Sequence, residues 1–122
     1  MKANELRIGN ILKGGEVVSI DIMGVIFRNN FNNTYSGIHP KCKPIKLTPE
    51  ILEQCGFEKI NNIHGYYLWS MKRKRNDSKP SIDIYDRYTI IGNISRVKHC
   101  VYLHQLQNLY YALTGKELTQ RN

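Results

Sequence analysis

The chain reads as an α+β fold: an N-terminal curved β-meander or partial small barrel, a short helix, an antiparallel sheet, and a C-terminal helix packed on that sheet. Three observations predict it. Short β-branched runs separated by glycine turns fill the first third. Period-two alternation returns in the middle of the chain. Residues 102–118, YLHQLQNLYYALTGKEL, form an amphipathic helix with a glycine stop. No linker is long enough to divide the chain, so one domain is expected over 1–122. Within it fall a β-meander subregion at 1–47, a short helix at 48–56, antiparallel strands at 57–102 and the closing helix at 103–114.

In the meander, residues 8–12, 16–22 and 25–31 are strand-like, with Gly14-Gly15 and Met23-Gly24 at the turns. Asn29, Asn30, Asn32 and Asn33 then mark a turn, because asparagine tolerates left-handed geometry. His39-Pro40 and Lys43-Pro44 give an extended connector, since proline drives the residue before it out of the helical region. The short helix is signalled by Thr48 as N-cap, Pro49 at the first helical position and Glu50 at the positive end of the dipole. Ile51, Leu52 and Cys55 supply its apolar face, and Gly56 its stop.

Residues 57–60 and 63–71 read as a hairpin about an Asn61-Asn62 turn, followed by the polar loop KRKRNDSKPS. Residues 82–90 read as one strand, with Ile82, Ile84, Tyr88 and Ile90 on the core face and Asp83, Tyr85, Arg87 and Thr89 opposite. Gly92-Asn93 turns the chain into an antiparallel return over 94–101. In the closing helix, Leu103, Leu106, Tyr110 and Leu113 form one stripe, widened by Leu109. Leu118 is placed to fold back against the last turn.

Composition narrows the class. Hydrophobic residues at 41% and charged residues at 23% are ordinary for a globular chain. The opening MKANELRIGN lacks the apolar run of a signal peptide, and no later segment has the apolar length to cross a bilayer. Cys42, Cys55 and Cys100 are an odd count without paired spacing, which fits reduced, buried thiols in a reducing compartment. A cytoplasmic protein with no membrane association is the expectation. The net charge is +8, and it is uneven: residues 1–61 hold 8 Lys/Arg against 6 Asp/Glu, and residues 62–122 hold 10 against 4. Such asymmetry is a footprint of an anionic partner, and it also keeps a small protein in solution.

Three segments carry a family resemblance: ELRIGN at 5–10, IKLTPEILEQCGFEK at 45–59, and YLHQLQNLYYALTGKEL at 102–118. In order and spacing they resemble a family of small proteins from Bacteroidetes bacteria and their phages or integrated elements. The resemblance spans almost the whole chain, least of all 63–97. It implies a mobile-element origin but no activity, cofactor or catalytic residue.

Candidate chemistry is sparse. Lys72, Arg73, Lys74 and Arg75 follow Tyr66, Tyr67 and Trp69, and cations beside flat side chains suit nucleic acid. Of these, Lys72, Arg73, Lys74, Arg75 and Tyr66 are the candidate nucleic-acid contacts. The same aromatics also suit packing against a helix. His39 and Cys42 have a metal-compatible gap, but His99 and Cys100 are adjacent and would point to opposite strand faces, so no metal site is expected. Asp83 and Asp86 do not share a strand face, and Cys55 sits at a helix C-terminus, which disfavours a thiolate. No catalytic constellation is visible, and neither enzyme activity nor a cofactor is expected. His104, Gln105 and Asn108 are polar residues of the last helix that caps and packing do not explain. Gln105 and Asn108 lie three apart and would either meet a protein partner or tie the helix to a neighbouring loop. Two functions follow: an interaction or accessory module binding a protein partner or itself, and a nucleic-acid-binding accessory protein.

Overall fold

A computed structural model of the chain describes residues 5–21, 24–36, 42–61, 67–71, 82–85, 88–91 and 95–120. The chain divides into two compact units: Met1–Lys46 with Val101–Leu109, and Leu47–Cys100 with Tyr110–Asn122. The architecture is α+β, with two antiparallel sheets and a C-terminal helix.

The first unit is built on a four-stranded meander of β1 (Ile11–Leu12), β2 (Gly15–Asp21), β3 (Gly24–Arg28) and β4 (Thr34–Ser36), paired in chain order. Alternation along β3 buries Val25 and Phe27, which join Leu6, Leu12, Val17 and Cys42 in one core with Tyr35 against it. A bulge in β2 between Val17 and Ser19 shifts the register against β3 and sharpens the local twist. Residues 8–10, expected in the first strand, instead form a pinned loop: the Gly9 N–H donates to the Val17 carbonyl and the Asn10 N–H to that of Arg7. The strand expected to reach residue 31 ends at Arg28, where the asparagine turn begins. That turn leads into β4, whose three residues are too few to show a period in the sequence.

Gly15 is required by close approach. A Cβ there would lie 2.4 Å from the Arg28 carbonyl oxygen and 2.8 Å from its carbon, both backbone atoms of the paired strand. Gly15→Ala is expected to cost about 1–3 kcal/mol, measured by thermal or denaturant unfolding. An unchanged midpoint would mean that the β2–β3 pair yields without loss.

The second unit carries α1 (Pro49–Gln54) and a five-stranded sheet of β5 (Phe57–Asn61), β6 (Tyr67–Met71), β7 (Ile82–Ile84), β8 (Thr89–Ile91) and β9 (Ser95–Val97), again in chain order. The signals for α1 operate as expected. The Thr48 hydroxyl accepts the Ile51 N–H at 3.3 Å, Pro49 opens the helix, Leu52 and Cys55 are buried, and Gly56 ends it at φ +91°.

The strand expected over 82–90 is in fact two. β7 and β8 form a hairpin in which the Tyr85 N–H donates to the Tyr88 carbonyl at 2.9 Å. The reversal inverts the parity. Ile84 pairs with Thr89 and Ile82 with Ile91, so Thr89 shares the core face with Ile82 and Ile84, and Ile90 moves to the other. Ile82, Ile84 and Thr89 on the core face are at most 6% exposed, and Asp83 on the other face is buried as well.

The closing helix, α2, spans Leu103–Thr114. Leu103 and Leu106 are fully buried; Leu109, Tyr110 and Leu113 are only half-buried. Its residues divide between the two units after Leu109. The last turn is closed by the Gly115 N–H on the Tyr111 carbonyl at 2.8 Å, and Leu118 just beyond is buried. No described helix is long and apolar enough to cross a membrane.

Candidate functional site

The polar residues of α2 are taken up by the fold of the first unit. Gln105 is the third helical residue, and its Oε1 accepts the Val101 N–H at 2.8 Å and the Tyr102 N–H at 3.1 Å. This is the glutamine half of a capping box, made without a serine or threonine N-cap. The Leu103 N–H, another orphan donor at the helix start, goes to the Ile45 carbonyl at 2.8 Å. His104, at 1% exposed, stacks its ring on Tyr102 at 5.9 Å. Gln107 is also buried, and its Oε1 accepts the Ile11 N–H at 2.9 Å, fixing the helix to the start of β1.

Asn108 is the centre of the arrangement. Its Oδ1 accepts from Asn10 Nδ2 at 2.8 Å and Arg7 Nε at 3.2 Å, and its Nδ2 donates to the Glu5 carbonyl at 2.9 Å. Asn10 is wholly buried, and its own Oδ1 accepts the Arg7 N–H at 2.8 Å. Residues near the start of the chain and in its last helix are thus two halves of one hydrogen-bonded lock. Buried amides of this kind are costly unless every partner is present, which binds the pair together. Of the three α2 candidates, Asn108 ties the helix to a loop, Gln105 caps it, and His104 is sealed inside. Lys72, Arg73, Lys74, Arg75 and Tyr66 lie outside the described residues, as does His39.

The thiols sit in apolar surroundings. Burial pushes the Cys55 thiol up to about 11 and Cys42 upward. Cys100 also rises to about 11, chiefly by burial and against the lowering effect of Thr89. Raised thiols are poor nucleophiles at neutral pH. Buried Thr89 has its hydroxyl engaged on two sides, accepting the Cys100 N–H and pairing with His99 Nδ1, each at 3.1 Å. Among the described residues, no three His, Cys, Asp or Glu side chains converge to hold a metal ion.

Among the described parts that the first unit exposes is the turn between β3 and β4. Asn29 Oδ1 accepts the N–H groups of both Phe31 and Asn33 at 2.9 Å, the Asn29 N–H donates to the Asn33 carbonyl at 2.9 Å, and Asn32 adopts φ +62°. These bonds fix the turn, and at its tip Phe31 is 84% exposed, the most exposed large hydrophobic residue described. Beside it runs an open groove of about 690 Å³, lined by Ile11, Gly15, Glu16, Arg28, Asn30 and Phe31 among others. Sequence reading placed Phe31 at the end of a strand. The signal that would have relocated it is the string of asparagines on either side.

The second unit's sheet has one side away from its core. By the pairing registers, Ile60, Leu68, Ser70, Asp83, Ile90 and Arg96 lie on that side. Asp83 is buried there and accepts from the Ser70 hydroxyl at 2.7 Å. Tyr85 and Tyr88 flank the β7–β8 turn with rings stacked at 4.6 Å and 18°, and the Arg96 guanidinium lies 4.3 Å from the Tyr88 ring centre. Burial, then Tyr88 and Asp83 nearby, hold the Tyr85 hydroxyl above its ordinary pKa.

No protein-family model, curated protein or solved structure matches the chain.

Proposed function

We propose that this chain is a small non-enzymatic interaction or accessory module of a phage or mobile genetic element, acting by binding a protein partner or itself. The reading rests on Phe31: an aromatic side chain 84% exposed at the tip of a turn whose backbone is already hydrogen-bonded in place. Holding a large apolar ring in water on an ordered turn gives nothing to the isolated fold. On binding, the same order lowers the entropy cost of docking, and aromatic anchors of this kind dominate interface energetics. The adjoining groove, with Ile11, Arg28 and asparagine amides, supplies the mixed apolar and polar rim of a protein contact.

A photo-crosslinking residue placed at position 31 in the native host identifies the partner, and sedimentation over a range of concentrations tests self-association. Phe31→Ser is expected to weaken the resulting complex by about 2 kcal/mol or more, the range of an anchor residue, with the melt unchanged. A complex of parental strength in the variant would remove this turn as the contact.

A second reading, a nucleic-acid-binding accessory protein, is favoured by the net charge of +8 and by Arg96 lying over Tyr88.

A further inference from the structure

We propose that the outer side of the second unit's sheet binds single-stranded nucleic acid, with a base stacked on Tyr85 and phosphates met by Arg96 and Lys98. The proposal rests on the second reading above but moves it from the basic loop to a surface built of paired strands. Tyr85, Tyr88 and Arg96 make three layers: a ring 4.6 Å from Tyr88 and a guanidinium 4.3 Å from the same ring cannot occupy one face of it. Arg96 therefore closes one end of the stack, and the outward face of Tyr85 ends the other. Every nucleobase has a π-face that can extend such a stack, whatever the sequence.

The setting fits that occupant. Leu68 and Ile90 on the same side are half-buried, giving an apolar floor. Arg96 is exposed on β9, and exposed Lys98 follows two residues on. The carboxylates described on this side are poorly placed to repel a phosphate. Asp83 is 7% exposed and bonded to Ser70, and Glu58 stands on β5, at the opposite edge of the sheet from β9. Among the described residues the cations at the β9 end of this side are Arg96 and Lys98, and a polyanion is the partner that they complement.

The test is fluorescence anisotropy of the full chain with labelled oligo(dT) and oligo(U) of about 15 nucleotides, from about 50 mM salt upward. Binding is expected to weaken as salt rises. Tyr85→Leu should weaken it about fivefold or more at fixed salt while leaving the salt slope in place, because a stacking contact releases no counterion. Tyr85→Phe should bind as the parent does. Arg96→Ala should flatten the slope of log affinity against log salt by about 0.7, the value for one phosphate on a single strand. Absence of binding at the lowest salt overturns the proposal. So does binding unchanged by Tyr85→Leu and Arg96→Ala but abolished when Lys72, Arg73, Lys74 and Arg75 become serine. If Tyr85→Leu fails to fold, crosslinking of the parent to a bromouracil-substituted strand decides: adducts on Tyr85 or Tyr88 support the site, and adducts confined elsewhere remove it. Phe31→Ser should bind these strands normally, so loss of this site and loss of the Phe31 contact are read separately.

Discussion

Leu106→Ala is expected to destabilise the protein by about 2–5 kcal/mol, and Leu113→Ala by clearly less, about 1 kcal/mol, in matched denaturant melts. Both residues belong to the apolar stripe of α2, and by helical periodicity alone they are equivalent. The structure separates them. Leu106 is 0% exposed, so truncation removes packed methyl groups and leaves a cavity that its neighbours fill only in part. Leu113 is half-buried, and water can replace much of what it loses. Equal losses for the two variants would contradict the burial assigned to α2.

Asn108→Leu is expected to cost about 2–4 kcal/mol, from unfolding curves of the purified variant. The substitution is close to isosteric, so the loss comes from stranded partners rather than lost volume. The Glu5 carbonyl loses its donor at 2.9 Å, and Asn10 Nδ2 loses its acceptor at 2.8 Å within a side chain that has no exposed surface. Each stranded buried group costs about 1–3 kcal/mol, more than a hydrogen bond contributes when both partners are present. Asn10→Leu removes the facing amide, and the double variant should be less damaging than the sum of the two singles because they break the same bond. Strict additivity would show that Asn10 and Asn108 do not act as a unit.

Much of the framework was readable along the chain. Thr48, Pro49 and Gly56 bound α1 because caps and stops are local chemistry, satisfied by backbone groups three or four residues away. The limits of α2 at Leu103 and Thr114 follow from its apolar period and from Gly115. The asparagine cluster is a turn because Asn29 bonds the backbone two and four residues on. The faces of 82–90 were not readable. Alternation carries on through Tyr85 and Tyr88 as though one strand continued, and a hairpin reverses direction there without a glycine or an asparagine to mark it.

The candidate site was less legible than the fold. Gln105 finds its partners locally, in the N–H groups of Val101 and Tyr102, but the partners of Asn108 lie close by only in space. Asn108 bonds Glu5, Arg7 and Asn10, roughly a hundred positions earlier. The start of α2 is likewise completed by the carbonyl of Ile45, which no capping pattern around Tyr102 announces. The Tyr85–Tyr88–Arg96 stack was missed for the opposite reason, since it looks like ordinary strand content until the register is known, whereas Phe31 was marked by the asparagines around it.

By itself, then, the amino-acid order determined where helices begin and end and which class of fold the elements compose. Those features depend on steric preferences and hydrogen bonds spanning a few residues. Tertiary structure alone decided which polar groups the fold consumes and which aromatic rings it leaves facing outward, because both depend on what distant segments bring alongside.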